Sequence, residues 1–136
     1  MTRIAAGMLI VVAQAANATI WSGVYTSPQS ERGEKAYNRS CGTCHREDLS
    51  GSDDGAPALR GSVFFERWKD RPLSEMYFVI AETMPQDAPK SLSPAEYADV
   101  ISFILRRNDA PAGDTELPTD LQKLKRIVIV EKPSPR

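Results

Sequence analysis

Histidine is almost missing from this sequence and cysteine is scarce: one His and two Cys in 136 residues. Two cysteines are too few for a disulfide-stapled scaffold. One histidine excludes any site built on two imidazoles. Charge of one sign is not in excess either. There are 17 Lys+Arg against 18 Asp+Glu, a formal net charge of −1, which removes the bulk electrostatic footprint of a nucleic-acid binder. Long apolar runs are lacking too; the longest, Ile4 to Ala18, is too short and too interrupted to be assigned as a membrane span on hydropathy alone. No internal repeat, low-complexity tract or β-rich region is present. What is there is ordinary: 41% hydrophobic and 26% charged residues, the composition of one globular domain plus ends.

The N-terminus carries its own pattern. Met1-Thr2-Arg3 is a short positive stretch, Ile4 to Val12 is apolar, and Ala16-Asn17-Ala18 supplies small residues. This reads as a secretory leader over residues 1–18, removed from the mature protein. Cuts after Ala15, Ala16 or Ala18 all fit. A helix that stays and packs, or a retained membrane anchor, are the other readings. Export would place the chain in the periplasm or an equivalent compartment, where two cysteines would normally form a disulfide.

Helical signals dominate the rest. After a lead-in over 19–29 with Trp21 and Tyr25, Gln29 to Ser40 is expected as a helix, with Pro28 before it, Ser30 as cap and Glu31 and Glu34 near its positive end. Cys41 to Ala58 is loop-like and Val63 to Lys69 a short helix. Leu73, Met76, Tyr77 and Ile80 recur at helical spacing, predicting a helix from Leu73 to Met84 that Pro85 stops. Ser93, Pro94 and Glu96 form a capping box ahead of an apolar face of Tyr97, Val100, Ile101, Ile104 and Leu105, with Arg106 and Arg107 in the last turn. Beyond Asn108 an extended tail over 109–136 is expected, with Ile127 to Val130 as a strand or an extended packing segment.

Both cysteines and the histidine fall in Cys41-Gly42-Thr43-Cys44-His45. This spacing is the attachment signature of one covalent c-type haem. Two thiols so placed can each reach a vinyl group on one porphyrin edge, and the next imidazole then falls beneath the ring as an axial ligand. A thioredoxin-like pair wants a βαβ context the chain lacks. A structural zinc site needs four ligands, and neither Cys nor His remains to complete one. With no second histidine, methionine is the expected second axial ligand, and water or an open site is the alternative. Met1 and Met8 leave with the leader, so Met84 and Met76 are the candidates. Met76 sits inside an amphipathic helix, where core packing explains it. Met84 stands at a helix end fixed by Pro85 and is favoured. Trp68 is either a donor to a haem propionate or a core residue, and Tyr77 and Phe78 are candidate pocket residues. Asp53 and Asp54 read as a solvated turn, and no imidazole is left to serve as a catalytic base.

From Ser30 to Asn108 the sequence resembles the small single-haem class I cytochromes c. Gly33, Tyr37 and Cys41 follow that family's glycine-aromatic-cysteine spacing, and Val100 and Phe103 match its last-helix packing positions. The resemblance implies that Gly33 lets the first and last helices cross closely. Pro57-Ala58-Leu59 is similar to the family's proline-x-leucine segment. That implies that the Pro57 carbonyl accepts a hydrogen bond from His45 and that Leu59 packs on the ring. The Trp21-x-Gly23-x-Tyr25 and Thr115-Glu116-Leu117-Pro118 segments are similar to cytochromes associated with pyrroloquinoline-quinone-dependent dehydrogenases.

The expectation is thus an all-α cytochrome c-like fold, with a leader at 1–18, a haem domain at 30–108 and a tail. The cofactor is one haem c bound through Cys41 and Cys44, with His45 and Met84 on iron and Pro57 and Leu59 lining the pocket. The expected function is one-electron transfer, not catalysis, between redox partner proteins: a dehydrogenase or other donor, and an oxidase or other acceptor. No nucleic acid is involved, and a membrane only if the N-terminal segment stays as an anchor. A dedicated electron-accepting subunit of a quinoprotein dehydrogenase, or a haem-based ligand sensor if the distal methionine is labile, are the alternatives.

Overall fold

The structure, a computed structural model, describes residues 17–136. The leader expected at 1–18 lies almost wholly outside the described residues. In chain order the elements are β1 (Ala18–Thr19), α1 (Ser27–Ser40), α2 (Gly42–His45), α3 (Gly61–Trp68), α4 (Leu73–Thr83), α5 (Pro94–Arg107), α6 (Leu121–Leu124) and β2 (Ile127–Val128). The fold is all-α, and α1, α4 and α5 are its three main helices, as expected.

α1 starts earlier than its sequence signals suggested. Thr26 is the cap, its hydroxyl accepting from the Gln29 amide at 3.2 Å, and Pro28 lies in the first turn, where a missing N–H costs nothing. Ser30, expected as the cap, is buried inside the helix. Its hydroxyl donates to the Ser27 carbonyl at 2.8 Å and accepts from Arg106 at 3.1 Å. α5 begins as its sequence predicts. Ser93 Oγ accepts from the Glu96 amide at 3.1 Å, and Glu96 accepts from the Ser93 amide at 2.9 Å.

α1 and α5 make the most extensive helix–helix contact of the fold. A Cβ on Gly33 would fall inside the Asp99 backbone carbonyl and 3.1 Å from Phe103 Cβ. Only glycine permits this crossing. Past it the Tyr37 and Phe103 rings meet at 5.1 Å between centroids, and Val100, Ile101, Ile104 and Leu105 are buried. Each such side chain contributes roughly 1.5–3 kcal/mol when fully buried. Arg32 reaches Asp99 at 3.2 Å and Arg106 reaches Glu34 at 2.6 Å across the same contact.

The segment over 109–136 is extended for much of its length, yet it is not a loose tail. It includes α6 and β2, and Leu117, Leu124, Ile127 and Ile129 are buried. Its alternation of fully and partly buried positions from Ile127 to Val130 is that of a strand with one face inward. β2 pairs in parallel with β1, Ala18 opposite Ile127 and Thr19 opposite Val128. Buried Gln29 grips Leu117 twice, donating to its carbonyl at 3.1 Å and accepting from its amide at 2.7 Å. Trp21 Nε1 donates to the Val130 carbonyl at 2.9 Å. Near Gly23 and Gly113 the two backbones touch so closely that a Cβ on Gly113 would fall into the Gly23 carbonyl. Trp68 is buried, with the Arg67 guanidinium 5.1 Å from its ring. Tyr77 is buried too. Phe78 instead is 55% exposed, on a neighbouring face of α4, where it lines a groove with Leu121 and Lys125. Successive residues on a helix point about 100° apart, so both aromatics cannot face the core. No helix among the described residues is long and apolar enough to cross a membrane.

Candidate functional site

The end of α1 delivers the chain to the site. The Cys41 amide donates to the Tyr37 carbonyl at 2.7 Å, and the chain then winds into α2, a single turn. The Cys44 and His45 amides both donate to the Cys41 carbonyl, at 3.2 and 3.0 Å. Cys41 is half-buried, Cys44 is exposed, and both are free thiols. Burial pushes the Cys41 thiol up to about 11, so it is protonated at neutral pH. A protonated, half-buried thiol is a poor redox nucleophile.

His45 is buried, with 7% of its surface exposed. Its Nδ1 lies 2.9 Å from the Pro57 carbonyl oxygen. A carbonyl only accepts, so Nδ1 is the donor and Nε2 is the nitrogen left to a ligand. The imidazole is thereby fixed in tautomer and orientation as a ligand would require.

Three supports hold this arrangement. Arg46 takes a left-handed φ of 64° immediately after His45, a conformation that costs about 1–3 kcal/mol unless its surroundings impose it. Here the Tyr37 hydroxyl donates to the Arg46 carbonyl at 2.6 Å and the Leu49 amide donates to it at 3.0 Å. Gly51, at φ 78°, donates to the His45 carbonyl at 3.0 Å. A Cβ there would lie 2.5 Å from the Ala56 oxygen and 2.8 Å from the Pro57 carbonyl carbon. Glycine at this position therefore lets the 56–58 backbone come close enough to reach the imidazole. Finally, buried Asn108 donates to the Leu59 carbonyl and accepts from the Gly61 amide, both at 2.9 Å. Leu59 is held half-buried against the core, just beyond Pro57.

The two methionines part company. Met76 is fully buried in the core. Met84 caps α4, half-buried, its amide donating to the Ile80 carbonyl at 2.9 Å. The structure thus brings Cys41, Cys44, His45 and Pro57 together and presents Met84 from a separate element. Asp53 and Asp54 are exposed. No cluster of His, Cys, Asp and Glu able to hold a metal ion occurs among the described residues.

Sequence reasoning passed over Gly51, Asn108 and Tyr97. Gly51 read as one loop glycine among several, Asn108 as the residue after a helix, and Tyr97 as part of an apolar face. Each acts through a long-range backbone contact that leaves no local pattern. A polar residue after a helix and a tyrosine in an apolar stripe were the only hints.

The donor set fits a covalent haem: two unpaired thiols one turn apart, an imidazole oriented through Nδ1, and a methionine outside the packed core. With an all-α fold around it, the site defines a c-type cytochrome domain. The chain belongs to the family described as cytochrome c oxidase, cbb3-type, subunit III, whose model matches residues 28–104. Its class of work is therefore electron transfer, and the family implies haem c as its cofactor. Among solved structures, a chain of the sulfane dehydrogenase SoxCD from Paracoccus pantotrophus is similar, with a TM-score of 0.59 and 18% identity over 86% of this chain and 68% of that one. At that identity the likeness is one of fold. A search of curated proteins finds no match.

Proposed function

We propose that this protein is an exported single-haem cytochrome that passes one electron at a time between redox partner proteins. Cys41 and Cys44 anchor the haem as thioethers, His45 Nε2 and the Met84 sulfur bind its iron, and Leu59 packs on the ring. Bound in this way, haem supplies a ferric–ferrous couple. The chain's own residues keep the coordination sphere constant. Pro57, through its carbonyl, holds the imidazole and raises its basicity. The soft thioether of Met84 favours the reduced ion and raises the potential relative to two imidazoles.

The observation that carries this reading is the His45 Nδ1–Pro57 contact of 2.9 Å. It supports an imidazole preset to ligate, and a thiol pair serving redox chemistry alone would not require it. Visible and near-infrared spectra of the matured protein test it. Covalent haem with a methionine-to-ferric-iron charge-transfer band is expected, and Met84→Ala should abolish that band and let carbon monoxide bind the ferrous form. A variant that kept the band would remove Met84 from the assignment, and a protein matured without haem would overturn the proposal as a whole.

Both comparisons name an oxidoreductase, one of them by a subunit. This favours a second, narrower reading, a dedicated electron-accepting subunit of a dehydrogenase. Co-purification with one stable partner would separate it from a diffusing carrier.

A further inference from the structure

The loop that carries Met84 has few ties to the rest of the molecule. Its turns are internal: the Ala88 amide donates to the Pro85 carbonyl at 2.9 Å and the Ser91 amide to the Ala88 carbonyl at 3.3 Å. Lys90 reaches Glu82 at 2.9 Å, but both side chains are largely exposed, and such pairs contribute little. One buried side chain does more. Tyr97, on the first turn of α5 and 3% exposed, donates its hydroxyl proton to the Met84 carbonyl at 2.7 Å. The same hydroxyl accepts from the Leu92 amide at 3.4 Å. A single oxygen therefore touches the loop where it leaves α4 and again just before the Ser93 cap of α5.

We infer that Tyr97 is a positioning residue that locks the Met84 loop closed and so sets how firmly the Met84 sulfur holds its place. The inference rests on the proposed ligation by Met84. The loop backbone cannot lift away at Met84 without carrying the Met84 carbonyl off the Tyr97 hydroxyl, because that carbonyl belongs to the first residue past the helix. The loop then opens only at the cost of this partly buried hydrogen bond. The phenylalanine variant keeps the ring and its packing and deletes only the hydroxyl, with its bonds to Met84 and Leu92.

The test compares wild type, Tyr97→Phe and Tyr25→Phe as full, haem-loaded proteins, titrating each ferric form with imidazole and following loss of the methionine charge-transfer band. Tyr25 is the control. It is a buried tyrosine whose hydroxyl bonds the Ala110 carbonyl, away from the loop. For Tyr97→Phe the band should persist without imidazole, and the displacing concentration should fall about tenfold. For Tyr25→Phe it should stay at the wild-type value. An unchanged Tyr97→Phe midpoint, or an equal fall in both variants, overturns the inference. A wild-type spectrum with no methionine band would instead bring down the ligation reading, and this inference with it. If Tyr97→Phe does not accumulate, hydrogen exchange of the wild-type protein decides. The Leu92 amide should exchange well behind that of exposed Gln86, and equal rates overturn the inference.

Discussion

Pro57 serves His45 through its backbone carbonyl and not through its ring, so the identity of residue 57 matters less than where the backbone is placed. Pro57→Ala should keep the imidazole contact, leave the haem spectrum unchanged, and alter stability by no more than about 1 kcal/mol through the unfolded chain. Gly51→Ala should behave quite differently. Its new methyl would press on the Ala56 and Pro57 backbone from a positive-φ position, which costs on the order of 1–3 kcal/mol and shifts the carbonyl that orients the imidazole. Thermal melts with absorption spectra of both variants check this contrast, and it fails if Pro57→Ala proves the more damaging. The same logic governs Asn108, whose amide holds backbone at Leu59 and Gly61. At this scale the site is built from main chain, with side chains as its clamps.

The elements are shaped by their ends. α5 starts where a reciprocal pair of hydrogen bonds between Ser93 and Glu96 satisfies two amides that would otherwise go unpaired. That pairing makes the start of α5 sensitive to acid. The Ser93 amide bonded to its carboxylate, with Arg39 nearby, holds Glu96 below the usual carboxylate range. A group whose folded value is lowered contributes fully above its unfolded value and loses that contribution as pH falls through the folded one. Glu96→Ala should therefore melt below wild type at pH 7, and the gap should close as pH drops well under about 4. Melts of the pair across that range decide it; a gap independent of pH would assign the cost to helix propensity alone. Gly33 illustrates the other constraint on elements. It decides how closely α1 approaches α5, and so where the end of α1 sets down Cys41.

Over the whole molecule, the chain past Asn108 closes a belt around the haem domain. Leu117, Leu124, Ile127 and Ile129 are buried by it, at about 1.5–3 kcal/mol each. Together these are comparable with the entire margin of about 5–15 kcal/mol that keeps a domain folded. Deleting residues 109–136 should lower the melting temperature sharply even with haem attached, as circular dichroism would show, while an unchanged melt would make the belt dispensable. The belt also bears on the leader. Ala18 lies in β1, its amide donating to the Arg126 carbonyl at 3.0 Å. A cut after Ala18 would remove that strand residue, whereas one after Ala15 or Ala16 would keep it. We propose one of the two earlier cuts, and N-terminal sequencing of the exported protein should read Ala16 or Asn17 first. A mature chain beginning at Thr19 would refute it.

The chemistry and the helices were legible in the residues themselves. The Cys41 to His45 spacing names a cofactor because two thioethers and an axial imidazole must meet one flat ring, and that geometry is local. α4 and α5 were legible for a similar reason: caps, prolines and an apolar period of 3.6 all act within a few residues. The preference for Met84 over Met76 as the proposed ligand also rests on local position. Tertiary structure alone decided the rest. Which tyrosine closes the methionine loop, which glycine lets Pro57 approach His45, and whether residues 109–136 hang free or bind the domain together all depend on groups far apart in sequence. Ser30 shows the limit in one residue. By composition it is a helix cap, but Pro28 begins the helix earlier and Arg106, from the far end of α5, claims its hydroxyl. Local rules specify which hydrogen bonds and burials a segment needs, and only the assembled chain determines which distant partner supplies them.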